Sequence, residues 1–512
     1  MSDARTSSSS SSSTSSDVVI VGCGPVGLTL AILLGLKGQR VTILERWTQP
    51  YPLPRACHFD HEVGRILASL GIGDVLRANT EPAEIYEWRN ATGQTLLRFG
   101  RIGLGPSGWP VSSMFSQPAV EGALEDRARS LPSISIIRGT EVEALLDDDT
   151  GVTAITADGG HHRGTFLVGC DGANSTVRTL LGIESIDLGF RHDWLIVDLV
   201  LHESRVFDPV NLQICDPARP TTLVSGGPGR RRWEFMRLPG ESLEDLSAPE
   251  RAWELLEPWD ISPSMATLER QAVYTFGARY AEHWRQGRIL LAGDSAHLMP
   301  PFAGQGMCAG VRDAVNLAWK LDLVLEGTSP YSLLDTYEEE RRPSVHAAIE
   351  FSIELGKVIC ISDPDEARLR DDAMASVVSD GPTEGGELPG FTSGCIDPTS
   401  PGAGTLFVQG TDGGQWLDDL YGTGWRLISL DDPGVLDPED RAWFENLGGR
   451  VIHLTDPGAG LVEWCTSRGV RHVLQRPDFM VFASSAESDG PTRLIATLRR
   501  TLTDRPEGAA SP

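Results

Sequence analysis

Apolar residues near the start of the chain come in short continuous runs that are separated by glycine and polar residues. Residues 18–21 form one such run, which is typical of a parallel strand buried on both faces. Residues 28–38 are apolar over a length that suits a buried helix, and residues 40–44 form a second run that ends at an acid. The pattern predicts a strand, a glycine turn, a helix and a second parallel strand.

The turn between the first strand and the helix carries the pattern GxGxxG, in which Gly22, Gly24 and Gly27 surround Pro25 and Val26. The first glycine permits a tight turn, the second lets a pyrophosphate approach the backbone, and the third lets the helix pack on the strand. The N–H groups at the helix start then face the phosphates. The segment therefore predicts a dinucleotide-binding fold.

Three charged residues after the second strand bear on which dinucleotide is bound. Glu45 ends the strand, where its carboxylate can accept hydrogen bonds from both ribose hydroxyls. Arg46 follows it, and because an acid followed by arginine also occurs in NADP enzymes, these residues leave the cofactor open. Arg55 follows a proline-stiffened loop, and its position fits a cation on the pyrophosphate as well as it fits an ordinary surface arginine.

A second motif lies in GTFLVGCDGANSTVRTLLGI, residues 164–183. Residues 165–169 predict a strand, Asp171 and Gly172 a turn, and residues 175–181 the start of a helix. We expect Asp171 to cap this helix or to anchor the loop.

A third motif lies in GRILLAGDSAHLMPPFAGQGMCAG, residues 287–310. The apolar run 289–292 predicts a strand whose end is followed by Asp294. A proline pair that ends at Pro301 then forces an extended segment, which leads into the glycine turn at Gly304. An acid at a strand end and a glycine-rich helix start are thus joined by a stiff bridge.

A long helix is predicted after this bridge over about residues 307–325, and the glycines Gly304 and Gly306 open it. The free N–H groups near Gly306 and Met307 place a positive helix end in front of whatever binds there. A reduced flavin is an anion along one ring edge, which such a helix end stabilises, whereas a nicotinamide has no comparable need. We expect Asp294 to bind a ribityl hydroxyl or nearby water.

Taken together, the GxGxxG, DG and GD motifs resemble, in order and spacing, those of the FAD-dependent aromatic hydroxylases, the class A flavoprotein monooxygenases. The resemblance covers about residues 17–358. It implies a permanently bound FAD and NAD(P)H as a visiting co-substrate. It also implies that Arg55 reaches the pyrophosphate, that Gln117 contacts the flavin side, and that Asp171 serves both FAD and NAD(P)H binding.

Four segments are most similar to one branch of that family, the 3-(3-hydroxyphenyl)propionate hydroxylases: PRACHFDHE, RRRWEFMRLPGE, DTYEEERRP and RPDFMVF. The resemblance implies hydroxylation of 3-(3-hydroxyphenyl)propionate or 3-hydroxycinnamate ortho to the existing hydroxyl, with O2 and a flavin C4a-hydroperoxide. Two alternatives stay open, a hydroxylase or epoxidase for a larger polyketide-type phenol and a non-catalytic FAD-binding protein. The chain departs from many relatives at Cys308, where they carry asparagine, so a side-chain contact with the flavin edge is not implied there.

Asp60 and His61 are the titratable residues on the segment expected to pass near the flavin ring. Either can relay the proton that leaves the phenol. An equally good interpretation makes Asp60 a helix N-cap and His61 a surface residue. For the apolar residues Trp109, Trp194 and Phe235, sheet core is a better interpretation than pocket lining.

The chain divides by pattern into a Rossmann-like FAD-binding domain, an inserted antiparallel substrate sheet, a linker-like loop and a C-terminal domain. In relatives the last is thioredoxin-like, but without CxxC it cannot exchange disulfides, so we expect a packing or homodimer role. The boundaries are 1–16 for a disordered serine-rich tail, 17–362 for the FAD-binding domain (about 17–85, 110–188 and 272–362) with the inserted sheet (about 86–109 and 189–271), 363–402 for the loop and 403–512 for the last domain.

Composition narrows the class of protein further. Acidic residues outnumber basic ones 71 to 44, and the resulting charge of −27 disfavours nucleic acid and anionic membranes as partners. Eight scattered cysteines without CxxC indicate reduced thiols and a cytoplasmic location. The longest apolar run is too short for a membrane span, and the histidines lack metal-ligand spacing, so we predict no metal.

Overall fold

The computed structural model describes residues 15–375, 383–384, 389–434 and 436–504. Residues 1–14, most of the expected disordered tail, lie outside this part of the chain. Within the described residues the main sheets have eight, nine and four strands, and the predicted mixed α/β class is confirmed. No helix of these residues has the length and apolar character needed to cross a bilayer.

The eight-stranded sheet begins with the predicted strand–helix–strand unit. Ser16–Val21 pairs in parallel with Val41–Glu45 on one side and with His161–Gly169 on the other. Residues 18–20 are fully buried, as a strand covered on both faces requires. The other strands are Ile134–Arg138, Val142–Asp148, Gly151–Thr156, Arg285–Gln286 and Ile289–Leu291. The carboxyl ends of the parallel strands therefore meet along one edge, where ligands bind in such sheets.

Long helices pack with this sheet in one hydrophobic core. The predicted helix after the third motif is present as Gly306–Leu325, which we call the GQG helix. The other long helices are Pro25–Leu36, Gln117–Arg129 and Asp335–Ile359. Shorter elements complete this region: His58–Asp60, His61–Leu67, Ala68–Ile72, Gly73–Ala78, Thr80–Pro82, Ser112–Phe115, Thr176–Leu180, Gly293–Ser295, Pro301–Ala303 and Tyr331–Leu334.

The nine-stranded sheet is mostly antiparallel, and side chains alternate between its two faces. On the strand Arg230–Met236, Arg232 and Glu234 lie on one face, while Trp233 and Phe235 lie on the other. The second face packs in a separate apolar cluster with the helix Pro249–Leu256. The remaining elements are Ile85–Asn90, Thr95–Gly100, Ser185–Leu201, Asn211–Cys215, Thr221–Ser225, Leu243–Ser247, Glu257–Trp259, Ala266–Ala281, His297–Leu298 and Thr383–Glu384.

The C-terminal region forms a four-stranded mixed sheet with helices. Arg426–Ser429 pairs in parallel with Arg450–His453 and antiparallel with His472–Gln475, which pairs with Val481–Ser485. Its other elements are Thr411–Asp412, Gln415–Trp416, Leu417–Tyr421, Pro438–Asn446, Ala459–Arg468 and Gly490–Thr503. At a coarse level this layout agrees with the expected thioredoxin-like appendage.

The predicted linker-like loop over 363–402 is wrong at its start. Pro364–Ala375 is a helix, and Asp363 caps it by accepting hydrogen bonds from the N–H groups of Asp365 and Glu366, at 2.9 and 3.0 Å. Proline at the first helical position and acids in the first turn favour this start, so Asp363-Pro364 is a helix signal rather than a break. Residues 376–382 and 385–388 lie outside the described part of the chain.

Candidate active site

A cavity of about 390 Å³ lies between the carboxyl edge of the eight-stranded sheet and one face of the nine-stranded sheet. It collects residues from all three sequence motifs. Of the predicted cofactor-binding residues, all but Gly27 line it: Gly22, Gly24, Pro25, Val26, Glu45, Arg46, Arg55, Gln117, Asp171, Gly172, Asp294, Pro301, Gly304, Gly306 and Met307. Their roles in binding stay predictions, but the fold brings them together.

The glycine turn has the geometry that its sequence pattern predicts. Gly22 has φ +107°, and a Cβ there would clash with the carbonyl of Cys170. A Cβ on Gly27 would clash with the carbonyl of Gly22, which explains why Gly27 packs inside the turn instead of lining the cavity. A Cβ on Gly24 would meet nothing within 4 Å, so the backbone there is open to a ligand.

Glu45 is held in place by the turn it faces. Its carboxylate accepts hydrogen bonds from the N–H of Cys23 at 2.8 Å and from the N–H of Trp47 at 3.0 Å. Two backbone donors fix the rotamer while the carboxylate still borders the cavity. Arg46 is exposed and its guanidinium lies 5.2 Å from the Trp47 ring.

The segment that carries Arg55 is fastened through its backbone. The Gln117 carboxamide oxygen accepts hydrogen bonds from the N–H groups of Arg55 and Ala56, at 2.9 and 2.5 Å. Arg232 on the nine-stranded sheet donates to the carbonyl of Arg55 at 2.6 Å and to that of Pro54 at 3.1 Å. The Arg55 side chain is exposed toward the cavity, so it can turn to a phosphate.

Asp171 anchors its loop and supports the start of the next helix, while its roles in FAD and NAD(P)H binding stay predictions. Its carboxylate accepts from the Ser175 hydroxyl at 2.5 Å and from the Val177 N–H at 3.1 Å, which caps Thr176–Leu180 and closes the loop. Burial raises the pKa of Asp171 above its ordinary value. Gly172 follows with φ +83°, in the left-handed region.

The third motif opens onto the cavity through a carboxylate and a helix end. Within the described residues Asp294 has no hydrogen-bond partner for its carboxylate, and burial raises its pKa. The GQG helix has no side-chain cap, so the N–H groups of its first turn, including Gly306 and Met307, are free. Cys308 is fully buried and does not line the cavity.

Asp313 is a buried acid on the GQG helix that was not among the site residues predicted from the sequence. One carboxylate oxygen accepts hydrogen bonds from the Gly293 N–H at 3.0 Å and from His297 at 2.6 Å, and the other accepts from Arg341 at 2.9 Å. Although burial opposes it, His297 and Arg341 hold the pKa of Asp313 below its ordinary value. The signal that could have found it is an acid among the small and apolar residues of the segment AGVRDAVNLAWKL, which also carries Arg312, Asn316 and Lys320.

Asp60 and His61 do not line the cavity. Asp60 caps the helix His61–Leu67 by accepting from the Val63 N–H, and it pairs with Arg312 at 2.5 Å. Although burial opposes it, Arg312 holds the pKa of Asp60 far below its ordinary value. The geometry therefore favours the N-cap interpretation of Asp60 and gives no support to a proton relay through it. His61 packs on Gly105 instead of lying at the surface.

At the end of the cavity next to the nine-stranded sheet, the polar lining residues are not Asp60 and His61, which the sequence suggested. His58 is bonded through Nδ1 to the Gly304 carbonyl at 3.1 Å, and since a carbonyl only accepts, Nδ1 carries the proton. Its Nε2 is buried and has no hydrogen-bond partner among the described residues. Burial, with Arg101 nearby, lowers the pKa of His58 to about 4, so the ring is neutral.

The face of the nine-stranded sheet supplies the floor of this end through Asn211, Thr222, Val224, Arg232 and Glu234. Arg232 is paired with Asp198 at 2.7 Å, whereas Glu234 has only a 3.7 Å ion pair with Arg232. Burial raises the pKa of Glu234 to about 7, against the effect of Arg232. Trp109, Trp194 and Phe235 do not line the cavity.

These residues fit a flavin dinucleotide. The open backbone at Gly24 and the exposed Arg55 suit a pyrophosphate, and the Glu45 carboxylate suits a ribose. The free carboxylate of Asp294 suits a ribityl hydroxyl, and the uncapped start of the GQG helix suits an anionic ring edge.

Comparison with known proteins gives the family. The protein-family model described as "FAD binding domain" matches residues 15–352 of this chain. The chain is 37% identical over 496 residues to the probable NADH-specific resorcinol 4-hydroxylase of Rhodococcus jostii (strain RHA1), with 92% of each chain covered. It is 36% identical over 365 residues to the 3-(3-hydroxy-phenyl)propionate/3-hydroxycinnamic acid hydroxylase of Comamonas testosteroni, with 70% of this chain and 62% of that one covered. The chain therefore belongs to this family of FAD-binding proteins.

Solved structures agree with this assignment. Aklavinone-11 hydroxylase, in a ternary complex with FAD and aklavinone, superposes with a TM-score of 0.75 at 27% identity and covers 96% of this chain and 99% of its own. The OxyS anhydrotetracycline hydroxylase from Streptomyces rimosus superposes with a TM-score of 0.74 at 26% sequence identity. The match covers 96% of this chain and 100% of that one. The protein is a FAD-dependent aromatic hydroxylase with NAD(P)H as co-substrate, and the resemblance stated from the motifs is confirmed.

Proposed function

We propose that this hydroxylase acts on a monocyclic phenol that carries a second polar substituent meta to its hydroxyl, and that it introduces the new hydroxyl ortho to the existing one. Bound FAD supplies the redox chemistry, with NADH as electron source and O2 as oxygen source. The chain's own residues bind and orient the ring and keep water away from the reacting atoms.

The observation that carries this proposal is the continuity of one cavity. It runs from the residues that suit the dinucleotide to a polar floor on the nine-stranded sheet that includes Glu234, while Met299 and Phe302 give it apolar walls. Apolar walls with a few polar groups are what a substituted phenol needs for burial and orientation.

Resorcinol is the first candidate substrate. The relative named as a resorcinol 4-hydroxylase matches this chain over 92% of both lengths, so the C-terminal region is included in the similarity. Resorcinol has two hydroxyls meta to each other and no charge. A floor with an acid suits such a neutral ligand.

The second candidate is 3-(3-hydroxyphenyl)propionate or 3-hydroxycinnamate, and Arg101 is the observation that favours it. Arg101 lines the cavity, and among the described residues its guanidinium has no carboxylate partner within 4 Å. It lies 6.0 Å from the Tyr86 ring centroid and 5.8 Å from that of Phe99. Its one side-chain hydrogen bond among the described residues goes to the neutral Ser112 hydroxyl at 3.4 Å, so the cation can pair with the carboxylate of a phenylpropionate.

A substrate panel tests the proposal. The FAD-loaded protein is given NADH or NADPH with resorcinol, 3-(3-hydroxyphenyl)propionate, 3-hydroxycinnamate and a polycyclic phenol, and products are identified by mass spectrometry. We expect ortho-hydroxylated product from at least one meta-substituted monocyclic phenol. Product from the polycyclic phenol alone would favour the polyketide-tailoring alternative, and no product with any phenol would contradict the proposal.

Arg101→Gln separates the two candidates. If the substrate carries a carboxylate, kcat/KM should fall about tenfold or more, because a charge-assisted pair is lost. If it is resorcinol, kcat/KM should change little. Arg98→Gln is a matched control on the strand that Arg101 directly follows, because Arg98 pairs with Glu87 at 3.6 Å and does not line the cavity.

A further inference from the structure

Glu234 is a buried acid whose hydrogen bonds are unmade. Glu234 is 7% exposed, and among the described residues no donor lies within hydrogen-bond distance of its carboxylate. Burial of a carboxylate costs free energy unless hydrogen bonds or charges compensate for it. The cavity that Glu234 lines is therefore where its missing partner belongs.

The neighbouring cation does not fill this need. Arg232 lies 3.7 Å from Glu234, but its guanidinium makes hydrogen bonds of 2.7 and 3.1 Å to Asp198. Its remaining donors reach the carbonyls of Pro54 and Arg55. Arg232 thus fastens the segment that carries Arg55 and leaves Glu234 free for a ligand.

Glu234 and Arg101 line the same cavity, but they are offset along the sheet, because the register row of Glu234 ends at Leu97, four residues before Arg101. The strands run in the order Arg230–Met236, Thr221–Ser225, Asn211–Cys215, Ile85–Asn90 and Thr95–Gly100, and Arg101 directly follows the last. At about 4.8 Å a strand across the sheet and about 3.3 Å a residue along it, the two backbones are about 23 Å apart before their side chains reach inward. A single ring with two substituents fits between such side chains.

We propose that Glu234 binds the substrate by accepting a hydrogen bond from its phenolic hydroxyl, with the meta substituent directed toward Arg101. This inference rests on the proposed function, because it assigns a residue to the hydroxyl of the proposed phenol. A hydroxyl held at Glu234 fixes the edge of the ring that is presented for reaction. Glu234 therefore determines both affinity and the position of the new hydroxyl.

His58 is the other acceptor at this end of the cavity. Its Nε2 has no partner, but that atom is closed off from the cavity by the atoms around it. The carboxylate of Glu234 is not closed off in this way. The hydroxyl is thus assigned to Glu234, and a His58→Gln variant serves as the test of the alternative.

The experiment compares Glu234→Gln with the wild type, both loaded with FAD. Glutamine keeps the side-chain volume and removes the charge. We expect the Kd for the phenol, measured by calorimetry without NAD(P)H, to rise at least about tenfold, because a charged acceptor is replaced by a neutral one. Glu87→Gln is the matched control, since Glu87 is also 7% exposed on this sheet but lies outside the cavity.

A ligand without a donor gives a second readout. For the wild type, replacing resorcinol by 1,3-dimethoxybenzene should raise the Kd at least about tenfold, whereas in Glu234→Gln the two ligands should differ much less. This comparison within the wild type also holds if Glu234→Gln does not fold. Equal affinity of wild type and Glu234→Gln for the phenol, or a loss of affinity in His58→Gln alone, would overturn the assignment. Wild type that hydroxylates no phenol would instead overturn the proposed function.

Discussion

Asp313 accepts a hydrogen bond of 2.6 Å from His297, and both side chains are fully buried. Asp313 belongs to the GQG helix, whereas His297 follows the strand and turn that carry Asp294. The same carboxylate also accepts from the Gly293 N–H. The two halves of the third sequence motif are thus held together by one acid, which fixes Asp294 relative to the free helix end at Gly306.

Asp313→Asn should lower the stability of the protein and weaken FAD binding. Removing one member of a buried ionic network costs about 3–5 kcal/mol, because the partners stay buried without a counter-charge. Thermal unfolding and FAD titration measure the two effects. Asp322→Asn, on the same helix, is the control: Asp322 accepts from Gln39 at 3.0 Å but has no cation within 4 Å among the described residues, so its loss should cost about 1 kcal/mol. Equal losses in the two variants would argue against the special role of Asp313.

The parts of the site that rest on backbone conformation could be predicted from the sequence. Gly22, Gly24 and Gly27 have local, steric reasons to be glycine, and such reasons are visible in a short motif. The same holds for Asp171, which supports the N-cap Ser175 and the first turn of the helix Thr176–Leu180. Asp363-Pro364 is a local signal of the same kind for the helix Pro364–Ala375, but the abundance of proline, glycine and acids over 363–402 favoured a loop.

The floor of the cavity could not be predicted, because it depends on register across several strands. Glu234 and Asn211 line the same cavity because alternate residues of their strands lie on one face of the sheet. No local sequence pattern shows which face of the sheet borders the cavity. The ion pair of Asp60 could not be predicted for a related reason. Its partner Arg312 is far away in sequence, and only the folded chain brings the two together.

Glu45→Ala should raise the Kd for FAD. The lost interaction is a charged hydrogen bond to ribose, which contributes roughly 1–3 kcal/mol, or about a factor of ten to a hundred in affinity. Titration of the apoprotein, followed by flavin fluorescence, measures the change. Glu463→Ala, which changes an exposed acid of the C-terminal region that does not line the cavity, should leave the Kd as it is. An unchanged Kd in Glu45→Ala would mean that the ribose lies elsewhere.

Gly306→Val should keep the fold but slow flavin reduction by NAD(P)H and lower the flavin reduction potential. A Cβ at Gly306 meets only the Met299 Cγ, at 3.8 Å, so the protein itself has room for it. The larger side chain instead occupies the space in front of the free N–H groups, whose field acts over about one helical turn. Stopped-flow reduction and potentiometry measure the effects, with Gly306→Ala as the smaller change. Equal reduction rates and equal potentials in wild type and Gly306→Val would mean that this helix end does not stabilise the reduced flavin.

The kcat/KM for a phenol should rise as the pH increases through about 7 and then level off. Burial raises the pKa of Glu234 to about 7, with Arg232 and Arg270 opposing the effect and Asp198 adding to it. Above that pH Glu234 is a carboxylate that accepts the hydroxyl hydrogen bond, and below it the protonated acid accepts less well. The step should be absent in Glu234→Gln. A wild-type profile without a step between pH 6 and 8 would contradict this role.

The central claim is that this protein transfers one oxygen atom of O2 to the ring of a meta-substituted phenol. The direct measurement is turnover under isotopically labelled O2 with NADH and resorcinol or 3-(3-hydroxyphenyl)propionate, followed by mass spectrometry of the product. The account predicts NADH oxidation that the phenol stimulates and one labelled oxygen in an ortho-hydroxylated product. NADH oxidation that yields only hydrogen peroxide, or a product whose new oxygen comes from water, would contradict it.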